Sequence, residues 1–149
     1  MIAETATRVQ QHTAPRVNEH IQRNARERVC ELGGYDRASA IASRLHELDR
    51  EWDIERVLQT HFAIVSLASL ALSTLVGRRW LALALGVPAF MLQHAFQGWY
   101  PSLPVFRRIG FRTSKEIAEE RFALKALRGD FNDALQSGDA DDLLRAVKS

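Results

Sequence analysis

The sequence predicts an all-α fold: a two-pass transmembrane helical hairpin with cytoplasmic amphipathic helical arms at both ends. Three observations predict it. Of 20 basic and 18 acidic residues, only Arg78 and Arg79 fall within residues 57–106, where the average charge density would place about 13. On both sides of that stretch, apolar residues recur every three or four positions among charged ones, the spacing of amphipathic helices. Gly77-Arg78-Arg79 then divides the uncharged stretch into two long apolar segments joined by a turn too short for anything but an antiparallel return.

The first element is a tail. Residues 1–15 show no periodicity, contain Pro15, and are expected to be flexible. They also lack the apolar core of a secretory signal, so any membrane segment is expected to be internal and retained. Residues 16–52 read as a helical arm. Val17, Ile21, Ala25, Val29 and Leu32 form one stripe that Gly33-Gly34 ends. Asp36 can cap a second helix with the stripe Ile41, Leu45, Leu48 and Trp52. Both stripes are narrow, which suits an arm packing on itself or a partner better than one lying on a membrane surface.

The hairpin occupies residues 53–112, with its helices at about 57–77 and 80–100 and Asp53 as the first N-cap. Gln59–Gly77 would make roughly 28 Å of helix and Trp80–Tyr100 roughly 31 Å, close to the bilayer core. Neither segment has a polar side, which favours lipid over a soluble core. The unbroken apolar run Trp80–Leu92 is shorter, and Gln93, His94 and Gln97 follow it. A hairpin that does not span, or a soluble helical hairpin covered by oligomerisation, is the alternative. Pro88 is expected to kink the second helix. Ser69, Ser73 and Gly77 on one segment, with Ala82 and Gly86 on the other, follow small-xxx-small spacing and form the expected helix-packing face.

Charge placement sets the expected topology. Arg44, Arg50, Arg56, Arg107, Arg108, Arg112 and Lys115 flank the open end, and only Arg78 and Arg79 stand at the tip. The positive-inside bias puts both termini in the cytoplasm, with Trp80 at one interface and Trp52, Trp99 and Tyr100 at the other. Arg107, Arg108, Arg112 and Lys115 set that topology or hold anionic lipid headgroups.

Residues 113–149 read as C-terminal cytoplasmic helices. Thr113 and Glu116 match a capping box, Ile117, Leu124 and Leu127 point to one side, and Gly129 stops the helix. Residues 130–136 and 139–147 read as two short terminal helices. Glu116, Glu119, Glu120 and the aspartates at 139–142 read as solvated charges complementing helix dipoles.

Several function classes lack material. Each arm is balanced to within one charge and the formal charge of +2 equals that of Arg78 and Arg79 at the tip, so no basic face for nucleic acid is expected. Lone Cys30 gives neither an intramolecular disulfide nor a structural zinc site. There is no phosphate loop, HExxH or Ser/His/Asp grouping, so no enzyme activity and no cofactor is expected. Gln93, His94 and Gln97 are the polar intramembrane candidates. His61 and His94 share one side of an antiparallel hairpin, which leaves a haem- or metal-binding redox partner as an alternative to a structural or partner-binding role.

WDIERVL (52–58), GRRW (77–80), LQHAFQGWYPSLPVFRRIGFRT (92–113) and EIAEERFALKALRGDF (116–131) together resemble the YgaP-like inner-membrane domain, a two-helix bacterial module. Gly98, Pro101, Gly110 and Thr113 fit that family's pattern, and Tyr100 stands where the family carries a cysteine. The resemblance covers roughly residues 52–131. It implies a two-pass protein of the bacterial cytoplasmic membrane, dimeric through a second copy, with no reaction attached and no thiol chemistry at position 100.

Overall fold

In the computed structural model, which describes residues 7–33 and 38–148, every regular element is helical. In chain order these are α1 (Arg8–Gln11), α2 (Pro15–Leu32), α3 (Ala38–Arg50), α4 (Ile54–Leu75), a 3₁₀ turn (Arg78–Trp80), α5 (Leu81–Gln97), α6 (Leu103–Ile109), α7 (Ser114–Arg128), α8 (Asn132–Ser137) and α9 (Ala140–Lys148). The Asp36 cap, the Gly34 part of the glycine stop and the first six residues of the expected tail lie outside the described residues.

The described chain divides into two compact units. One joins the N-terminal residues up to His20 with Trp52–Ser114; the other joins Ile21–Glu51 with the chain from Lys115 onward. Residues 21–51 of the first arm and the second arm from Lys115 onward therefore belong to one unit, each supplying part of its core, while residues 16–20 go with the hairpin.

In the hairpin unit, Asp53 accepts a hydrogen bond from the Arg56 backbone N–H at 2.8 Å, capping α4, and its other carboxylate oxygen accepts from Ser114 Oγ. The Ile54 N–H donates to the Arg112 carbonyl at 2.8 Å. A core of Val9, Ile54, Leu58, Tyr100 and Leu103 forms beside them, with Met91, Phe106 and Phe111 packed against it. Helices α4 and α5 then run out from this base as a packed antiparallel pair.

The expected tail is corrected here. From residue 7 onward it is ordered, because Val9 is buried in the hairpin core and Pro15, rather than breaking structure, opens α2. Proline suits a helix's first position, where its missing N–H would have no partner in any case.

The two long helices also differ from expectation. Helix α4 has 22 residues, roughly 33 Å, and belongs to the one helical stretch among the described residues that is long and apolar enough to cross a membrane. Its most apolar 18-residue window has mean hydropathy 1.4 and is 17% buried. Helix α5 stops at Gln97 instead of Tyr100, leaving 17 residues or roughly 26 Å. The physical reason is Gly98, whose φ of +77° turns the chain out of the helix while its N–H still reaches the His94 carbonyl at 2.7 Å.

Gly98 is also needed for space. A Cβ there would stand 2.6 Å from Arg8 Cβ and 3.0 Å from its backbone carbon. Gly98→Ala is therefore expected to destabilise the hairpin unit by about 2 kcal/mol, combining the left-handed backbone cost with the overlap. Thermal unfolding of purified protein followed by circular dichroism measures it, and an unchanged midpoint would contradict the close approach of Arg8.

The second unit buries Ile41, Leu45 and Leu48 of α3 against Ile117 and Leu124 of α7, with Val29 and Leu32 of α2 alongside. The stripe is thus inward through Leu48, while Trp52 lies beyond α3 in the hairpin unit, 43% exposed beneath the Arg56 guanidinium at 4.3 Å. Leu127, expected on the buried side of α7, is half exposed. Glu116 and Glu120 occupy buried positions instead, so those two acids are not solvated charges; of the three glutamates only Glu119 is exposed.

Candidate functional site at the base of the hairpin

Helix geometry selects which polar residues of α5 meet α4. Gln93 and Gln97 lie one turn apart and share an outward face, where Gln93 Nε2 donates to Gln97 Oε1 at 3.3 Å. His94, one residue on from Gln93, is rotated by about 100° and lies inside, 1% exposed. The three polar candidates therefore separate: the glutamines do not turn into the hairpin, and the histidine does.

His94 Nε2 lies 2.9 Å from Glu55 Oε2. An ionised carboxylate can only accept, so Nε2 donates to it. Among the described residues Nδ1 has no hydrogen-bond partner. The second Glu55 oxygen faces Arg8 Nη2 at 3.5 Å, and Arg8 Nη1 donates to the Ala95 carbonyl at 3.0 Å. Ala95 lies in the last turn of α5, where unpaired carbonyls concentrate negative partial charge, so a guanidinium is favourable there.

Tyr100 completes the site from the other side. Its ring is edge-on to His94 at 6.4 Å and to His61 at 6.2 Å, and His61 is edge-on to Phe106 at 5.4 Å. Both sequence-flagged histidines thus meet one aromatic ring, and Glu55 takes the inward nitrogen of His94. No group of three or more His, Cys, Asp or Glu among the described residues is arranged to hold a metal ion. Tyr100 is 4% exposed and belongs to the core, which corrects its expected place among the interface aromatics. Trp99 packs edge-on to Phe90 at 6.3 Å.

Among the described residues the imidazole's Nδ1 meets no hydrogen-bond partner. What the arrangement does is join α1, α4 and α5 through one charge-assisted chain. Glu55 stands in the first turn of α4, ahead of the apolar stretch, and the His94 hydrogen bond holds its carboxyl below the ordinary glutamate range, outweighing the opposing effect of burial. A depressed folded pKa contributes stability that is present above the unfolded value and lost as pH falls through the folded one. The hairpin unit is accordingly expected to loosen as pH drops below about 4.3, the ordinary glutamate pKa. Glu55→Gln should flatten that acid limb of the stability profile, and an unaltered limb would assign it to other carboxylates.

The remaining sequence candidates scatter. Arg107, expected at a lipid headgroup, is buried at 1% exposure. Its Nε donates to Thr13 Oγ1 at 3.2 Å, Nη1 to the Phe111 carbonyl at 2.9 Å and Nη2 to Asn18 Oδ1 at 2.8 Å. Arg112 is buried too, so two members of the basic group do not face outward. Arg108 is exposed, and Lys115 is exposed beside Glu119 at 3.9 Å. Helical phase is the reason: Arg107 falls one turn after buried Leu103, and Arg108 points away.

The small-residue face divides as well. Ser69 is buried on α4, donating to the Val65 carbonyl at 2.7 Å, and Ser73 is half-buried. Gly77 serves the turn, with φ of +154°. Ala82 is exposed, and a Cβ at Gly86 would meet nothing within 4 Å, so α5 does not use these two residues against α4. They line an open apolar groove of about 490 Å³ with Trp80, Leu83, Val87 and Phe90.

Sequence reasoning missed Arg8 and Glu55. A carboxylate in the first turn of one hairpin helix stands level with a histidine near the end of the other, and that level-matching was the available signal for Glu55. Arg8 gave no local signal. No protein-family model, curated protein or solved structure matches the chain. The fold and site thus define an all-helical protein with one membrane-length apolar helix and a polar clasp at its base.

Proposed function

We propose that this chain is a small integral protein of the bacterial cytoplasmic (inner) membrane, with both termini cytoplasmic, acting as a structural or partner-binding module that pairs with a second copy of itself. One observation carries the reading: the large apolar side chains that α4 and α5 leave uncovered. Leu67 is 68% exposed, Leu75 81% and Leu85 73%, with Ile64, Leu70, Phe90, Leu92 and Phe96 also open. Soluble monomers rarely expose a contiguous patch of that kind, whereas lipid covers it without cost. The resemblance of residues 52–131 to the YgaP-like domain points the same way. Helix α5 is short for a full crossing, and local bilayer thinning or snorkelling of flanking residues accommodates such a mismatch at modest cost.

The Ala82–Gly86 groove is the dimer face in this reading. Close backbone approach at small residues is how helices associate where lipid removes the hydrophobic drive. Carbonate extraction of membranes tests the location: retention in the pellet is expected, and full release would replace this reading with a soluble oligomer. In a Cys30→Ser background, Arg79→Cys should label with an impermeant maleimide from outside intact spheroplasts. Ala82→Cys should crosslink between copies, and Ser69→Cys should not.

A further inference from the structure

The second unit carries a basic concavity that the membrane reading does not use. Arg121, Lys125 and Arg128 follow one another along one face of α7, and with His46, Asp49 and Lys148 they line a cavity of about 300 Å³. Four permanent cations meet there against Asp49 and, beside Arg128, Asp130. Lys125 is 4% exposed. Its Nζ donates to the Val147 carbonyl at 3.0 Å and reaches that of Ala146 at 3.4 Å, which leaves its third proton unused among the described residues. Arg121 pairs with Asp49 through Nη2 at 2.8 Å, yet its Nε is buried without a partner. Lys148 and His46 make no hydrogen bond or ion pair among the described residues.

A cavity with surplus positive charge, a buried ammonium and an unused guanidinium N–H has the donor set of an anion site. We infer that it binds a phosphate-bearing anion, with Lys125 and Arg121 Nε at its floor and Lys148 at its mouth. Asp49 competes for the same guanidinium as the anion. This gives the proposal an opposite-sign signature: removing Asp49 should tighten anion binding, although it removes an ion pair from the fold.

The test is calorimetric titration of the purified full chain in neutral detergent with inorganic pyrophosphate and, separately, with dihexanoyl phosphatidic acid, using dihexanoyl phosphatidylcholine as control. Saturable 1:1 binding is expected, about tenfold weaker in Arg121→Gln and in Lys148→Gln and several-fold tighter in Asp49→Asn, with circular dichroism unchanged. Lys148→Gln alters only an exposed residue, so the test stands even if Arg121→Gln loosens the fold. Binding of the lipid but not pyrophosphate makes the ligand a headgroup; the reverse makes it a soluble phosphate compound. Binding of neither, or binding that all three variants leave unchanged, overturns the site. None of these outcomes depends on whether the hairpin spans a bilayer.

Discussion

Arg107→Ala is expected to destabilise the hairpin unit by about 3–5 kcal/mol, since it removes three buried hydrogen bonds from a charged donor, each worth about 1.5–3 kcal/mol and not fully additive. The guanidinium fills fully buried space and donates to Thr13, Phe111 and Asn18 from three different nitrogens. Alanine leaves a cavity and strands three acceptors at once. Arg107→Lys should recover only part of the loss, because one ammonium on a flexible stem cannot reproduce a planar fork aimed three ways. Unfolding midpoints of the two variants, read by circular dichroism in the same detergent, check both statements. If Arg107 served topology or lipid headgroups alone, both variants would keep the wild-type midpoint.

Glu120→Ala should cost about 3 kcal/mol, the low end of the same range, since its partners keep partial access to solvent. Glu120 is 3% exposed and receives Arg28 Nε at 3.2 Å, Arg28 Nη2 at 3.1 Å and Arg44 Nε at 2.9 Å. It thereby joins α2, α3 and α7 at one carboxylate, between the core residues Ile117 and Leu124. Truncation leaves two guanidinium groups facing each other without their shared anion. Glu120→Gln keeps an acceptor of the same shape and should lose less than half as much. A double-mutant cycle pairing Glu120→Ala with Arg28→Ala should show strong non-additivity, and additive losses would reduce the Glu120–Arg28 pair to a surface contact.

These two residues also show where the sequence ceases to be readable. Arg107 stands in an Arg-Arg pair, and Glu120 in a run with Glu116 and Glu119; composition alone assigns both to solvent. Helical phase was the available correction. Leu103 and Arg107 are one turn apart, as are Glu116 and Glu120, and in each pair both members are buried. Phase, however, only says that two residues share a face. That a charged face turns inward depends on the partners waiting there, and those lie far off in sequence, Thr13 and Asn18 for one, Arg28 and Arg44 for the other.

The polar clasp was half legible for the same reason. The sequence marks His94, Gln93 and Gln97 alike as polar residues in an apolar segment, but only His94 is buried, with Gln93 half-buried and Gln97 exposed. Arg8 was invisible, because a short stretch before a proline carries no periodicity from which order can be inferred. Its order comes from Val9 in the core and from Gly98, which leaves room for the Arg8 backbone.

The sequence by itself determined the all-helical class, the near positions of most helix ends, the uncharged hairpin and its Gly77 turn. All of these rest on local chemistry: apolar period, caps, glycine and proline. Tertiary structure alone decided that residues 21–51 and those from Lys115 onward form one unit, that Arg107, Glu116 and Glu120 are inside, and that Ala82 and Gly86 do not pack against α4. Burial of a polar or small group is settled by what a distant segment places against it, and a charge becomes tolerable inside only when such a partner arrives.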